Sequence, residues 1–340
     1  MTKVIICSPL EPEHVARIAA VDPRVEVLYE PELLPVSRYE GDHVGVLPEL
    51  TEAQRRRWFE LTSSAEVAFD FDRRAPAEVN ENFPLLRWVQ GTSAGLGKLT
   101  DRFPLDLDEV VVTTAAGVHA VPLAEFVLTG LLHFVKDVPQ LRRWQAEHRW
   151  TRYTSRTLSG QRVLVVGLGA VGKHTAHVLA GLGVEVVGAV RPGGTSGAPG
   201  VAEVVGFDAI GSVLPTVDAV VLACPLTPQT EGLIGAAELA ALKPHAVLVN
   251  IARGQVVDEQ ALITALSTGA LRGAVLDVAT VEPLPVDSPL WDLENVVVSP
   301  HSASTAANEN ALITDLFCAN LRRWLDGEEL HNRYRPDLGY

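Results

Sequence analysis

The sequence predicts an α/β protein of two parallel-sheet domains, Rossmann-like and flavodoxin-like, with a cleft between them. Three observations predict it. Short runs of branched apolar residues alternate with helical patterns along most of the chain, the order that builds parallel sheets covered by helices. One run, Arg162-Val163-Leu164-Val165-Val166, passes directly into Gly167-Leu168-Gly169-Ala170-Val171-Gly172 and then a helical pattern from Lys173 to Ala180. The length of 340 residues, at roughly 150 residues per domain, gives about two domains.

Taken in order, Lys3 to Cys7 reads as a strand, Glu11 to Ala20 as a helix and Val25 to Leu28 as a second strand. The proline-rich piece from Pro31 to Pro48 reads as irregular, and Glu52 to Thr62 as an amphipathic helix. Val67 to Phe71, Leu86 to Gln90 and Val110 to Thr114 complete a small parallel sheet, so the first domain covers 1–114. Between the last two, Gln90 to Gly97 is rich in small residues. Such a loop can turn its backbone N–H groups toward an anion, but ordinary flexible loops share the composition. Ala115 to Val118 then crosses into the second domain.

Pro122 to Glu147 reads as one long helix, with Leu123, Phe126, Val127, Leu131 and Val135 spaced for one face. Leu128, Leu132 and Phe134 make it apolar elsewhere too, the mark of a helix covered by another domain or subunit. Trp144 and Trp150, near its end, are expected to pack. In the glycine segment the G-x-G-x-x-G spacing permits a tight turn, close approach of a pyrophosphate and packing of helix on strand. The helix start adds free N–H groups and a partial positive charge. Val184 to Val190, Ala219 to Ala223, Ala246 to Ile251, Ala274 to Val278 and Val296 to Ser299 bring this sheet to six strands, within a dinucleotide-binding domain of 115–303. Asn308 to Leu325 is a helix that returns to the first domain, which therefore includes 304–340.

Composition excludes several classes. A net charge of −14 argues against nucleic-acid or anionic-membrane surfaces, which require a basic face. The N-terminus enters a strand pattern without a signal-peptide core, and no stretch is long and apolar enough to span a bilayer. Cys7, Cys224 and Cys318 are far apart and lack metal or disulfide spacing, which fits a reducing cytoplasm.

Three polar residues lie just past the carboxyl ends of late strands, the rim where open α/β sheets bind ligands: Arg253, Glu282 and His301. A guanidinium matches a carboxylate bidentately and keeps its charge; Gly254 beside it is expected to let the backbone turn and free it. An imidazole gives or takes a proton near neutrality, and a neighbouring carboxylate favours its charged form. Singly, each has a structural explanation: a helix-capping arginine, a solvated glutamate before proline, a core histidine. Their shared rim position behind a dinucleotide turn gives them joint weight. No metal-ligand spacing, nucleophile elbow or P-loop appears, which leaves hydride transfer as the natural chemistry.

At these residues the sequence resembles the D-isomer-specific 2-hydroxyacid dehydrogenase family. The matching pieces are Gly167 to Gly172, Cys224-Pro225-Leu226-Thr227-Pro228-Gln229-Thr230, Asn250-Ile251-Ala252-Arg253-Gly254-Gln255-Val256-Val257-Asp258, Leu276-Asp277-Val278 with Glu282-Pro283, and Ser299-Pro300-His301-Ser302-Ala303. The loop from Gly91 to Leu99 and Gly117 to Glu125 extend the match upstream. The resemblance implies Arg253 as the clamp on a 2-oxo acid carboxylate, His301 as the general acid/base and Glu282 as its partner. It implies a substrate-carboxylate loop at Ser93, Ala94 and Gly95. It places Gly167, Leu168, Gly169, Ala170, Val171, Gly172, Cys224, Pro225, Ile251, Ala252, Asp277 and His301 around the cofactor. It also implies a homodimer formed through the cofactor domain and the 122–147 helix.

One departure bears on the cofactor. NAD-preferring sites carry an acid at the tip of the second strand, where it binds the ribose 2′-hydroxyl. Here that strand ends Gly188-Ala189-Val190-Arg191-Pro192-Gly193. An arginine pairs with a 2′-phosphate, so NADP(H) is expected over NAD(H), with a promiscuous site as the alternative. The expected activity is NAD(P)H-dependent reduction of small 2-oxo acids such as glyoxylate or hydroxypyruvate to D-2-hydroxy acids. The rivals are an NAD-dependent 3-phosphoglycerate dehydrogenase, a formate dehydrogenase and, from another class, a nucleotide-sensing scaffold resembling corepressors.

Overall fold

Strands pair side by side in parallel throughout two sheets, and among the described residues no tight hairpin joins two of them, since parallel neighbours need longer crossover connections. The computed structural model describes residues 1–96, 102–191, 194 and 197–336. They fall into two units, Met1–His119 with Thr305–Tyr340, and Ala120–Ser304.

The first unit holds β1 (Thr2–Ile6), β2 (Val25–Leu28), β3 (Val67–Phe69), β4 (Trp88–Gln90) and β5 (Val111–Thr113), in the flavodoxin-like order β2-β1-β3-β4-β5. The C-terminal helix Glu309–Leu325 belongs to this unit. Phe317 is fully buried, stacked on Trp88 with centroids 5.0 Å apart and edge-on to Phe69 at 5.2 Å. Asn320 also donates to Gln90 at 3.1 Å.

The second unit holds β6 (Arg162–Val166), β7 (Glu185–Val190), β8 (Val201–Gly206), β9 (Ala219–Leu222), β10 (Val247–Asn250), β11 (Gly273–Leu276) and β12 (Val296–Val298). Their order, β12-β11-β10-β9-β6-β7-β8, makes seven strands where the sequence suggested six. The extra one, β8, is a half-exposed edge strand paired only with β7, so its residues form no continuous apolar run. The central strands β6, β9, β10 and β11 are buried almost throughout, as strands covered on both faces must be.

The long helix expected over 122–147 is two helices, Ala120–Val135 and Val138–Ala146. Pro139 enforces the break: it has no N–H to donate, and in a continuous helix its ring would strike the carbonyl of Val135. Asp137 turns the chain with φ 54° and pairs with Arg272. Leu123, Val127, Leu131 and Phe134 pack into the core of the second unit with Val163 and Val165. Trp144 packs edge-on to Tyr153, but Trp150 is 99% exposed, against the expectation of packing. It follows the second helix in a segment without regular structure.

Candidate active site

Along the carboxyl edge of the second sheet, successive strands each deliver one group of the predicted residues. At the end of β6, Gly167 turns with φ 96°, and a Cβ there would lie 2.7 Å from Cys224 Cα and 2.8 Å from the carbonyl oxygen of Ala223. Only glycine therefore lets this turn rest on the end of β9. A Cβ on Gly172, in the first turn of the helix Ala170–Gly181, would collide with the Gly167 carbonyl oxygen. Leu168 is buried and Val171 half-buried, whereas Gly169 and Ala170 are exposed, and the space around Gly169 is open. This cradle fits a dinucleotide pyrophosphate: backbone N–H groups at a helix start, with room for the phosphate oxygens.

Arg191 directly follows β7 and is exposed; Pro192 and Gly193 lie outside the described residues. Past β9, Cys224 is buried and Pro225 exposed. Burial pushes the Cys224 thiol up to about 12, so this cysteine is a packing residue beside the cradle.

Past β10, Ile251 and Ala252 are buried and Arg253 is partly exposed. Buried Asn250 clasps the turn, accepting from Ala252 N–H at 3.0 Å and donating to the Arg253 carbonyl at 3.0 Å. Arg253 Nη1 donates to the Ala252 carbonyl at 2.6 Å. Gly254 does not have the left-handed backbone that a glycine-dependent turn would use. Its Cβ position is instead filled by the peptide joining Ala279 and Thr280, so glycine is required for contact with the loop that leads to Glu282.

Past β11 and β12 lie the carboxylate and the imidazole. His301 Nδ1 and Glu282 Oε2 are 2.8 Å apart, with side chains 42% and 38% exposed. The other Glu282 oxygen accepts from Ala279 N–H at 3.1 Å. A carboxylate on Nδ1 selects the tautomer that carries its proton there and leaves Nε2 for a substrate. His301 has φ 55°, a left-handed conformation that costs about 1–3 kcal/mol unless its surroundings impose it. Asp277 imposes it. Its carbonyl accepts from His301 N–H at 2.8 Å, and its buried Oδ1 accepts from Ser299 Oγ, Ser302 N–H and Ala303 N–H at 2.7, 3.0 and 2.9 Å. Asp277, which the resemblance assigned to the cofactor, thus also builds the turn beneath His301.

In the first unit, exposed Ser93 and partly exposed Ala94 and Gly95 follow β4. The loop is pinned by Gly91 N–H to the Thr113 carbonyl and Ala115 N–H to the Ser93 carbonyl; Gly97 to Leu99 lie outside the described residues. Beside it, Asp70 donates its N–H to the Gln90 carbonyl at 2.8 Å. Asp70 heads a buried polar cluster that sequence reading missed. It contains Arg73, His43 with Ser8 at 3.4 Å, and His119 with Glu309 at 2.9 Å. Burial holds the His43 imidazole below its ordinary range, although Asp70 and Glu309 pull it upward.

A hydride donor bound along such an edge would need a proton donor and a carboxylate clamp at its reactive end, and an imidazole and a guanidinium have the chemistry for these. The class is that of the NAD(P)-dependent oxidoreductases. Known proteins narrow it. Residues 128–303 match the D-isomer specific 2-hydroxyacid dehydrogenase, NAD binding domain family. A glyoxylate reductase of Korarchaeum cryptofilum is 32% identical over 260 residues, 74% of this chain and 77% of that protein. The D-3-phosphoglycerate dehydrogenase of Mycobacterium tuberculosis is 37% identical over 265 residues, and the match covers 74% of this chain but only 47% of that longer enzyme. A D-isomer specific 2-hydroxyacid dehydrogenase from Xanthobacter autotrophicus Py2, solved with NADPH and MES, superposes with TM-score 0.79 at 34% identity, covering 100% of this chain and 99% of that one. The chain belongs to the D-isomer specific 2-hydroxyacid dehydrogenase family. Among the described residues, no helix is long and apolar enough to cross a membrane. Among the same residues, no cluster of His, Cys, Asp and Glu is placed to hold a metal.

Proposed function

We propose that the protein reduces small 2-oxo acids to D-2-hydroxy acids with NADPH, taking glyoxylate- or hydroxypyruvate-like substrates. The observation that carries this reading is the 2.8 Å His301–Glu282 pair, delivered by the segments after β12 and β11, the two strands that follow on from β10, which delivers Arg253. When bound, the reduced nicotinamide supplies a hydride to the carbonyl carbon. His301 gives its proton to the carbonyl oxygen from Nε2, and Glu282 keeps the ring oriented. Arg253 binds the substrate carboxylate as a fork and so aims the carbonyl. In the first unit, the loop of Ser93, Ala94 and Gly95 is a second candidate for binding a carboxylate, through its backbone N–H groups.

The cradle residues Gly167 to Gly172 hold the pyrophosphate; Ile251, Ala252, Cys224, Pro225 and Asp277 line the remainder of the cofactor's path. Arg191 at the tip of β7 supports NADPH over NADH, because a guanidinium there attracts a 2′-phosphate. Two copies of the chain associate through the helix Ala120–Val135 and the segment after it. The exposed apolar residues Val121, Leu141 and Trp150 support this pairing.

The test is a panel of 2-oxo acids with NADPH and NADH, alongside 3-phosphoglycerate with NAD. Expected are a higher kcat/KM with NADPH, a large rise in KM for Arg253→Ala and a fall in kcat for His301→Ala. Light scattering should return the mass of a dimer. A clear NADH preference refutes the Arg191 assignment, and binding of the dinucleotide without turnover of any acid refutes the enzyme reading in favour of a scaffold.

A further inference from the structure

We propose that Glu259, assisted by Gln255, positions the Glu282–His301 pair for catalysis; this rests on the oxidoreductase reading above. Thr280, Val281 and Glu282 are all exposed, so no burial of apolar surface fixes the loop that presents the catalytic carboxylate. Hydrogen bonds fix it instead. The Thr280 N–H donates to Glu259 Oε2 at 2.9 Å, and the Thr280 carbonyl accepts from Gln255 Nε2 at 3.0 Å. Both side chains come from the segment that begins at Arg253, and Gly254 of that segment lies directly against the Ala279–Thr280 peptide.

The remaining links are short. Ala279 N–H, one residue before the clamped Thr280, donates to Glu282 Oε1 at 3.1 Å, which leaves Oε2 for His301 Nδ1 at 2.8 Å. Glu259 is itself well anchored: it opens the helix Glu259–Ser267, whose N-cap, Asp258, accepts from Ala261 N–H at 3.0 Å. A carboxylate in a first helical turn also suits the helix dipole. If the dipole were the whole role of Glu259, its loss would change stability slightly and leave the histidine pair untouched. The bracket around Thr280 predicts an equally slight change in stability but a disordered Glu282.

The experiment compares wild type with Glu259→Ala, Glu259→Gln, Glu282→Gln and the double variant Glu259→Ala/Glu282→Gln. It records 2-oxo acid reduction, thermal unfolding and the imidazole N–H proton signal assigned through His301→Ala. Glu259→Ala should lower kcat by about tenfold, the lower end for groups that orient a catalytic residue, with KM for the acid unchanged. Glu259→Gln retains an acceptor oxygen and should restore most of kcat. In the Glu282→Gln background, Glu259→Ala should have no further effect, because both act through one carboxylate. The slowly exchanging His301 N–H signal should persist in Glu259→Gln and vanish in Glu259→Ala. Wild-type kcat in Glu259→Ala, additive losses in the double variant, or a persisting N–H signal would each overturn the proposal. If wild type reduces no 2-oxo acid, the functional reading fails alone, and the N–H signal still decides whether Glu259 holds the pair.

Discussion

Glu282→Gln should separate the stability of this protein from its chemistry. The variant keeps the size of the side chain and an oxygen for Ala279 N–H, but it removes the charge facing His301. Both side chains of the pair are about two-fifths exposed, so solvent screens it. An exposed ion pair contributes about 0.2–1 kcal/mol to folding. For a unit of this size 1 kcal/mol shifts Tm by about 2–4 °C, so Tm should fall by no more than about 4 °C. Catalysis should suffer far more. The amide can rotate to offer its own N–H groups to Nδ1, which selects the wrong tautomer. A loss of about 10²-fold in kcat is expected, the low end of what a positioned acid–base group contributes, or about 2.7 kcal/mol of barrier. The assay follows NADPH absorbance with the best acid of the panel, alongside thermal unfolding. A Tm loss above about 8 °C would make the pair structural. A kcat equal to wild type would show that Glu282 does not orient His301.

Two further predictions concern buried groups. Burial raises all three thiols, Cys7 well above its usual range with Asp72 and Asp70 adding to the effect, Cys224 to about 12, and Cys318 to a lesser extent. Native protein at about pH 8 should therefore resist a disulfide reagent at every cysteine, with all three reacting after denaturation, and fast labelling of native protein would contradict the packing. His43 is held below its ordinary range by burial, with Arg73 and His119 adding to the lowering and Asp70 and Glu309 opposing it. Unfolded, it takes up a proton near pH ~6.5, so its contribution to stability is complete above that pH and is lost as pH falls through the depressed folded value. His43→Gln should flatten the decline of Tm between about pH 7 and 5; an unchanged slope would assign the decline to other groups.

Strands of the second sheet were legible where burial on both faces writes a continuous apolar run, as in Val163 to Val166 or Val247 to Val249. β8 was not, because an edge strand with one wet face reads Val201-Ala-Glu-Val-Val-Gly206 after a glycine- and proline-rich stretch that looks like loop. The break at Asp137 was legible in principle, since Pro139 stood inside the helical pattern, but the apolar periodicity on both sides of it masked the interruption. At the site, Arg253, Glu282 and His301 could be located from strand ends and motif spacing. What holds them could not. Asn250, Asp277, Gln255 and Glu259 act on backbone groups of their own or distant loops, and a side chain bonded to backbone imposes no residue type on its partner. The polar cluster of His43, Asp70, Arg73, His119 and Glu309 gathers positions up to the start of the last helix, and no local pattern joins them.

The order of strands in the second sheet explains why a reaction site and a cofactor grip can share one edge. Reading along it, β12 gives His301, β11 gives Asp277 and Glu282, β10 gives Ile251 to Arg253, β9 gives Cys224 and Pro225, β6 gives the glycine cradle and β7 gives Arg191. In the proposed roles this is the sequence of parts in a bound dinucleotide: reacting end and substrate first, pyrophosphate at β6, adenosine ribose at β7. Neighbouring strands lie about 4.8 Å apart, so β10 to β12 span about 10 Å, the scale of one small oxo acid and the ring that reduces it. In sequence the strands run outward from β6 through β7 to β8, then resume on the other side of β6 at β9 and run outward again to β12, which puts the strand switch beside the glycine turn. In the proposed roles, chemistry and cofactor choice are therefore set several strands apart along one edge. A substitution at Arg191 should alter which dinucleotide is used without touching the His301–Glu282 pair.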